Sequence, residues 1–122
     1  MLNLYNRVNK PWGYYEDIER TPSYVFKRLV VFPGKRTSLQ SHLNRKETWN
    51  VVSGLGQARV QTDISGRDME MVVLKPGEVV MIDKTWIHRI SNIDTNDLII
   101  YEFQFGSCSE EDIIRYEDDF GR

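Results

Sequence analysis

The sequence predicts an all-β barrel or sandwich with one short helix near its C-terminal end, and three observations carry that prediction. Short runs rich in Val, Ile, Tyr and Phe recur along the chain, turn residues separate them, and helical periodicity is missing from residues 24 to 105. In order the runs are YVFKRLVVF, TSLQSH, ETWNVVS, QARVQTD, MEMVVLK, VVMID, WIHRISN and LIIYEFQF, set apart by turns such as PGK, LNRK, GLG, ISGRD, PGE and IDTND. About eight strands at a spacing of roughly 8–12 residues is the signature of such a fold. Residues 24–105 therefore form the barrel, and residues 1–23, with Pro11, Gly13 and Pro22, read as an arm packed against the sheet. Residues 106–122 read as helix and tail, with the helix over 109–119. Ser109 is placed to cap it, Asp112 stands at the third helical position, and Ile113, Tyr116 and Phe120 follow at helical spacing. Glu110, Glu111 and Asp112 suit the partial positive charge of a helix N-terminus.

Size and composition narrow the function classes. At 122 residues the chain fits one domain, 1–122, and its 40% hydrophobic and 28% charged residues are ordinary for a globular protein. A formal net charge of −2 offers no electrostatic footing for a polyanion, so a nucleic-acid partner is disfavoured. Cys108 is the only cysteine, which excludes an intramolecular disulfide and any thiolate cluster, and a reducing cytoplasm is expected. No window approaches eighteen apolar residues, so neither a signal peptide nor a membrane span is expected.

The stretch SLQSHLNRKETWNVVSG carries the chemistry. Side chains two apart on a strand share a face, so Ser38, Gln40 and His42 point one way, as do Glu47, Trp49 and Val51 on the returning strand. If the hairpin turns both rows inward, Gln40, His42 and Glu47 converge into a nitrogen and oxygen set suited to a divalent first-row ion. His88, 46 residues further on, is the natural candidate to complete it. Taken alone, a strand histidine is commonly a hydrogen-bonded core or surface residue. What gives these two weight is a shared frame: PGKRTSLQSH and PGEVVMIDKTWIH each open on Pro-Gly and end in histidine.

Gly34 to Gly54 resembles the first cupin motif, and Gly77 to Asn92 resembles the second. More specifically, Lys10-Pro11-Trp12-Gly13, KRLVVFPGKRTSLQSH, RKETWNVVSG, LKPGE, WIHRISN and the ending EEDIIRYEDDFGR resemble the C-terminal cupin domain of type II mannose-6-phosphate isomerases. In bifunctional members that domain follows a mannose-1-phosphate guanylyltransferase. The resemblance implies a cupin, that is, a double-stranded β-helix or jelly-roll barrel. It implies a metal shell of Gln40, His42, Glu47 and His88, with zinc the expected ion and manganese, iron, cobalt or nickel also compatible. Two departures stand out: Asn44 occupies the place of the second histidine in His-x-His, and Asp83-Lys84-Thr85 replaces the usual Pro-Ala-Gly. The pair Gln40-x-His42 matches the ligand pattern of the wider isomerase group, in which Asn44 need not be a ligand.

The implied activity interconverts mannose-6-phosphate and fructose-6-phosphate through an enediolate, which requires a base near carbon and a cation near oxygen. Glu102, on the face shared by Ile100 and Gln104, is the candidate base, with Arg115 as a second catalytic candidate. Ser38, Arg45 and Arg115 are the candidate contacts to the phosphorylated sugar. Trp12, Trp49 and Trp86 can flank the sugar or pack the core. Two other functions fit the same residues: a non-catalytic cupin that binds a sugar phosphate or nucleotide sugar, and a nucleotide-sugar isomerase or epimerase. No Gly-rich nucleotide loop is present, so nucleotidyl transfer is not expected from these residues. Exposed strand edges favour pairing, and a homodimer is expected.

Overall fold

The computed structural model describes residues 7–122, so the first six residues of the expected arm lie outside the described part. The eight runs read from the sequence are all strands. They are β3 (Tyr24–Val31), β4 (Leu39–Ser41), β5 (Arg45–Ser53), β6 (Gly56–Gln61), β7 (Glu70–Leu74), β8 (Val79–Ile82), β9 (Ile87–Asn92) and β10 (Leu98–Gly106). Two strands precede them, β1 (Arg7–Lys10) and β2 (Gly13–Arg20), and β11 (Ile114–Glu117) follows. Residues 7–20 are thus a hairpin hydrogen-bonded onto β3, extending the sheet rather than lying on it.

Two antiparallel sheets face each other, one in the order β1-β2-β3-β10-β5-β8 and the other β11-β4-β9-β6-β7. Strict alternation explains which side chains lie between them. On β3, Val25, Lys27, Leu29 and Val31 point inward; on β5, Arg45, Glu47, Trp49 and Val51; on β10, Leu98, Ile100, Glu102 and Gln104. The inward rows change character along their length. At one end Leu29, Val31, Val51, Leu98 and Ile100 pack with Ala58, Leu74, Ile82 and Ile90 into the apolar core. At the other end the same strands carry buried polar groups, and apolar burial at the first end supports the cost of holding them.

The expected helix over 109–119 is not formed, and no helix among the described residues is long and apolar enough to cross a membrane. Residues 107–113 are irregular, and the tail then pairs as β11 with β4. The physical reason is non-local. A lone short helix is marginal in water, whereas β4 has an open edge whose backbone groups need partners. Asp112, read from sequence as a helix-start acid, accepts the amides of Leu43 and Asn44 at 3.0 and 2.9 Å instead. Ser109 caps only a single turn, accepting the Glu111 amide at 3.2 Å. Phe120 still packs against the core, and the Tyr116 hydroxyl lies 2.9 Å from that of Ser41.

Gly54 closes the β5 to β6 turn with φ of +91°, and a Cβ there would meet the Asp97 carbonyl oxygen at 2.5 Å and Leu98 Cα at 2.9 Å. Both obstacles are backbone, so they cannot rotate away. Gly54→Ala is expected to cost about 1–3 kcal/mol, read as a lower urea midpoint at unchanged slope.

Candidate metal centre at the polar end of the barrel

His42 follows β4 directly and His88 lies on β9, where its Cα is paired across the sheet with that of Gln40. Glu47 comes from β5 in the opposite sheet. The ligand-capable atoms of His42, Glu47 and His88 lie within 4.8 Å of one another, and all three residues are buried. His42 Nε2 is 3.4 Å from Glu47 Oε2, and His88 Nε2 is 3.6 Å from Glu47 Oε1. The ring centroids are 5.2 Å apart.

Hydrogen bonding fixes which nitrogens face inward. His42 Nδ1 lies 2.5 Å from the Asp112 carbonyl oxygen and His88 Nδ1 lies 3.0 Å from that of Trp86. A carbonyl only accepts, so both Nδ1 atoms carry the proton and both Nε2 atoms present a bare lone pair. Burial pushes His42 down to about 4, helped by the Arg45 charge and then by His88. Burial also pushes His88 down to about 4. The neutral ring is the form that ligates a metal, and anchoring of the far nitrogen is the usual support of a ligand.

Two lone pairs and a carboxylate thus converge with too few donors between them. Glu47 Oε1 accepts Trp49 Nε1–H at 3.0 Å, and Arg45 donates Nε–H to Glu47 Oε2 at 3.1 Å. An Arg45 terminal nitrogen also lies 3.1 Å from His42 Nε2, but His88 Nε2 is buried with no hydrogen-bond partner. That orphaned atom, beside a second imidazole and a carboxylate, fits a divalent cation, and the cluster can hold one. Arg45 supplies positive charge to the Glu47 and His42 side of it.

The other sequence candidates separate into groups. Gln40 is half-buried on the cavity wall, where its Oε1 accepts the Ser38 hydroxyl at 2.7 Å. Ser38 is buried behind it and does not line the cavity. Arg45 and Glu102 are buried in the wall, and Arg115 is exposed on its rim, with its Cα opposite that of Gln40. Glu102 is pushed up by burial first and then by the neighbouring Glu47 carboxylate; Gln104 Nε2–H donates to it at 3.1 Å. Asn44 is exposed and off the cavity, its amide spent on Asp112. Trp12 and Trp49 line the cavity, whereas Trp86 packs against the core.

The wall also contains residues that the sequence does not mark as site candidates, among them Lys27, Tyr15 and Glu110. Lys27 had a signal, being the one charge in the inward row Val25, Lys27, Leu29, Val31. It donates to Glu110 Oε1 at 2.9 Å and sits 4.1 Å from the Tyr15 ring centre. Burial of the Tyr15 hydroxyl, reinforced by Glu110, pushes it up to about 12, so it stays a neutral phenol.

Fold and site together define a cupin. CapF of Staphylococcus aureus, a capsular polysaccharide assembling protein, superposes with a TM-score of 0.81 over 91% of this chain and 31% of its own, at 20% identity. KdgF from Halomonas sp. does so at 0.70 over 86% and 90% of the two chains, at 15% identity, and the Cnp3 cupin domain of Schizosaccharomyces pombe at 0.67 over 76% and 64%, at 12%. The chain belongs to the family described as mannose-6-phosphate isomerase C-terminal, whose model matches residues 1–118. Relatives include the xanthan biosynthesis protein XanB of Xanthomonas campestris, 35% identical over 97% of this chain and 24% of its own length. The mannose-1-phosphate guanylyltransferase ManC of Salmonella typhimurium is 31% identical over 98% and 24%. The alginate biosynthesis protein AlgA of Pseudomonas aeruginosa is 36% identical over 94% and 23%. The chain therefore spans about a quarter of the length of these relatives.

Proposed function

We propose that this domain is a metal-dependent sugar-phosphate isomerase that interconverts mannose-6-phosphate and fructose-6-phosphate through an enediolate. The observation that carries the proposal is the convergence of His42 Nε2, His88 Nε2 and Glu47, with the His88 atom buried and unpartnered. Gln40, His42, Glu47 and His88 would hold the ion, zinc first and manganese, iron, cobalt or nickel as alternatives. A bound divalent ion supplies positive charge that polarises the substrate oxygens. Glu102, whose proton affinity is raised by burial, takes the proton from C2 of the aldose and returns it to C1 while the hydroxyl proton of O2 passes to O1, so no atom is gained or lost. Arg45 inside and Arg115 at the rim supply charge for the phosphate. Cytoplasmic location and pairing of two copies through open sheet edges belong to the same proposal, the latter tested by sedimentation of the purified chain.

One observation favours a second reading. Arg45 touches both Glu47 and His42 Nε2, so part of the cluster is charge-compensated without a metal, as a non-catalytic sugar-phosphate or nucleotide-sugar binder requires. The deciding experiment follows fructose-6-phosphate formation from mannose-6-phosphate before and after a chelator, with metal restored. Loss and recovery support the isomerase; a metal-loaded protein that binds sugar phosphate without turnover supports the binder, and turnover of a nucleotide sugar alone supports a nucleotide-sugar isomerase or epimerase. Glu102→Gln is expected to lower kcat by about 10²–10⁴-fold at unchanged metal content.

A further inference from the structure

Between β10 and β11, residues 107–113 run across the polar end of the barrel as a strap. The strap carries Glu110, half-exposed yet on the cavity wall, into a nest of positive charge. Its Oε1 is 2.9 Å from Lys27 Nζ, 3.7 Å from Arg20 Nη2 and 3.9 Å from Arg45 Nη1. Lys27 and Arg45 are almost fully buried, and Glu110 is the one ion-pair partner of Lys27 among the described residues. The same cations hold the strap backbone: Arg20 donates to the Cys108 carbonyl at 3.1 Å and Arg45 to that of Ser109 at 3.5 Å. A second depression is lined by Arg20, Thr21 and Pro22 together with Ser107, Cys108 and Ser109 of the strap.

A buried ammonium on a strand needs a lasting counter-charge, because leaving it unpaired is costly. Here that counter-charge comes from a loop whose residues line both hollows. A phosphate monoester carries about −1.5 to −2 charge and three acceptor oxygens, more than one carboxylate offers to Lys27, Arg45 and Arg20, the last two of which also pair with Glu47 at 3.1 Å and Asp17 at 2.8 Å, respectively. Since the nest cannot stand empty, binding there is an exchange of one anion for another.

We propose that Lys27, Arg45 and Arg20 form a subsite for a phosphate monoester, and that Glu110 is its resident occupant, exchanged for the incoming phosphate so that the strap is released. The identity of the ligand as a sugar phosphate rests on the isomerase reading; the exchange itself does not. Asp112 holds Leu43 and Asn44 beyond the nest, so release is confined to the part of the strap before it.

The test titrates the full chain with inorganic phosphate and with mannose-6-phosphate by calorimetry, and follows amide hydrogen exchange at residues 107–111. Glu110→Gln keeps the shape and removes the competing charge, so phosphate is expected to bind about tenfold tighter than to the unmodified chain. Lys27→Met is expected to lose phosphate binding, and saturating phosphate is expected to speed exchange across the strap of the unmodified chain. Equal phosphate affinity with and without the Glu110 charge, or a strap whose exchange phosphate leaves unchanged, overturns the proposal. The exchange measurement needs no variant and so decides the matter even if both substitutions unfold the protein. Phosphate exchange as described without isomerisation sinks the isomerase reading alone; isomerisation with phosphate affinity indifferent to Glu110 sinks the exchange alone.

Discussion

Glu47→Ala is expected to destabilise the metal-free domain by about 3–5 kcal/mol, a large share of the roughly 5–15 kcal/mol that holds a domain of this kind folded. Glu47 is buried and serves as counter-ion to the buried Arg45, whose Nε lies 3.1 Å away, and as acceptor for Trp49 Nε1–H at 3.0 Å. Removing it leaves Arg45 with the longer 3.9 Å pairing to Glu110 in place of its 3.1 Å partner, and takes the acceptor from Trp49 Nε1–H. Glu47→Gln is expected to cost less, because an amide oxygen still accepts from Trp49 while the charge alone is lost. Both variants are expected to lose stoichiometric metal uptake, since Glu47 is the single anion of the cluster with His42 and His88. Urea unfolding of chelated protein separates the two effects. An alanine variant as stable as the unmodified chain would show that Arg45 does not depend on Glu47, and the electrostatic description of the centre would be wrong.

The second large effect is loss of stability in acid. His42 and His88 titrate near 4 when folded and near 6.5 when unfolded, so between those values the unfolded chain binds up to two more protons at these sites. Depressed imidazole values mean that this stability is complete above about 6.5 and is lost as the pH falls toward 4. Glu102 works in the opposite sense, since its folded value is raised above the ordinary 4.5 and the folded chain holds the extra proton there. Two imidazoles against one carboxyl leave a net uptake of about one proton on unfolding, or about 1.4 kcal/mol per pH unit between about 6.5 and 4.5. Urea midpoints of the metal-free protein at pH 7, 5.5 and 4.5 check the slope. Glu102→Gln is expected to steepen it, and His88→Gln, which leaves one group on each side, is expected to flatten it. A stability that holds constant or rises on acidification would mean that the imidazoles are not buried as neutral rings.

Most of the barrel was legible because local signals agreed. On β3, β5 and β10 buried residues alternate with more exposed ones, and Pro-Gly, Gly-Leu-Gly and Ser-Gly turns punctuate the strands between, so pattern and punctuation point to the same elements. β2 was hidden because Glu16, Asp17, Glu19 and Arg20 blur its alternation, and its place is set by pairing with β3. β11 was misread because Ser109 and the acids after it have the local chemistry of a helix start; the open edge of β4, nearly 70 residues away, decides otherwise. Within the site, His42 and His88 stood out through their matching Pro-Gly frames, and Glu102 through its strand face. The contact of Arg45 with Glu47 was latent in their i, i+2 spacing. Glu110 had no local signal, since only the crossing of the strap over the barrel brings it to Lys27.

Titration of the metal-free chain with cobalt(II), followed by its visible ligand-field absorption, tests the centre most directly. One equivalent is expected to saturate a single site, with bands of nitrogen and oxygen ligation that vanish in His88→Gln and Glu47→Gln. Absence of any saturable band, or the same band in both variants, would mean that these side chains meet for structure alone and that no metal centre is formed by them.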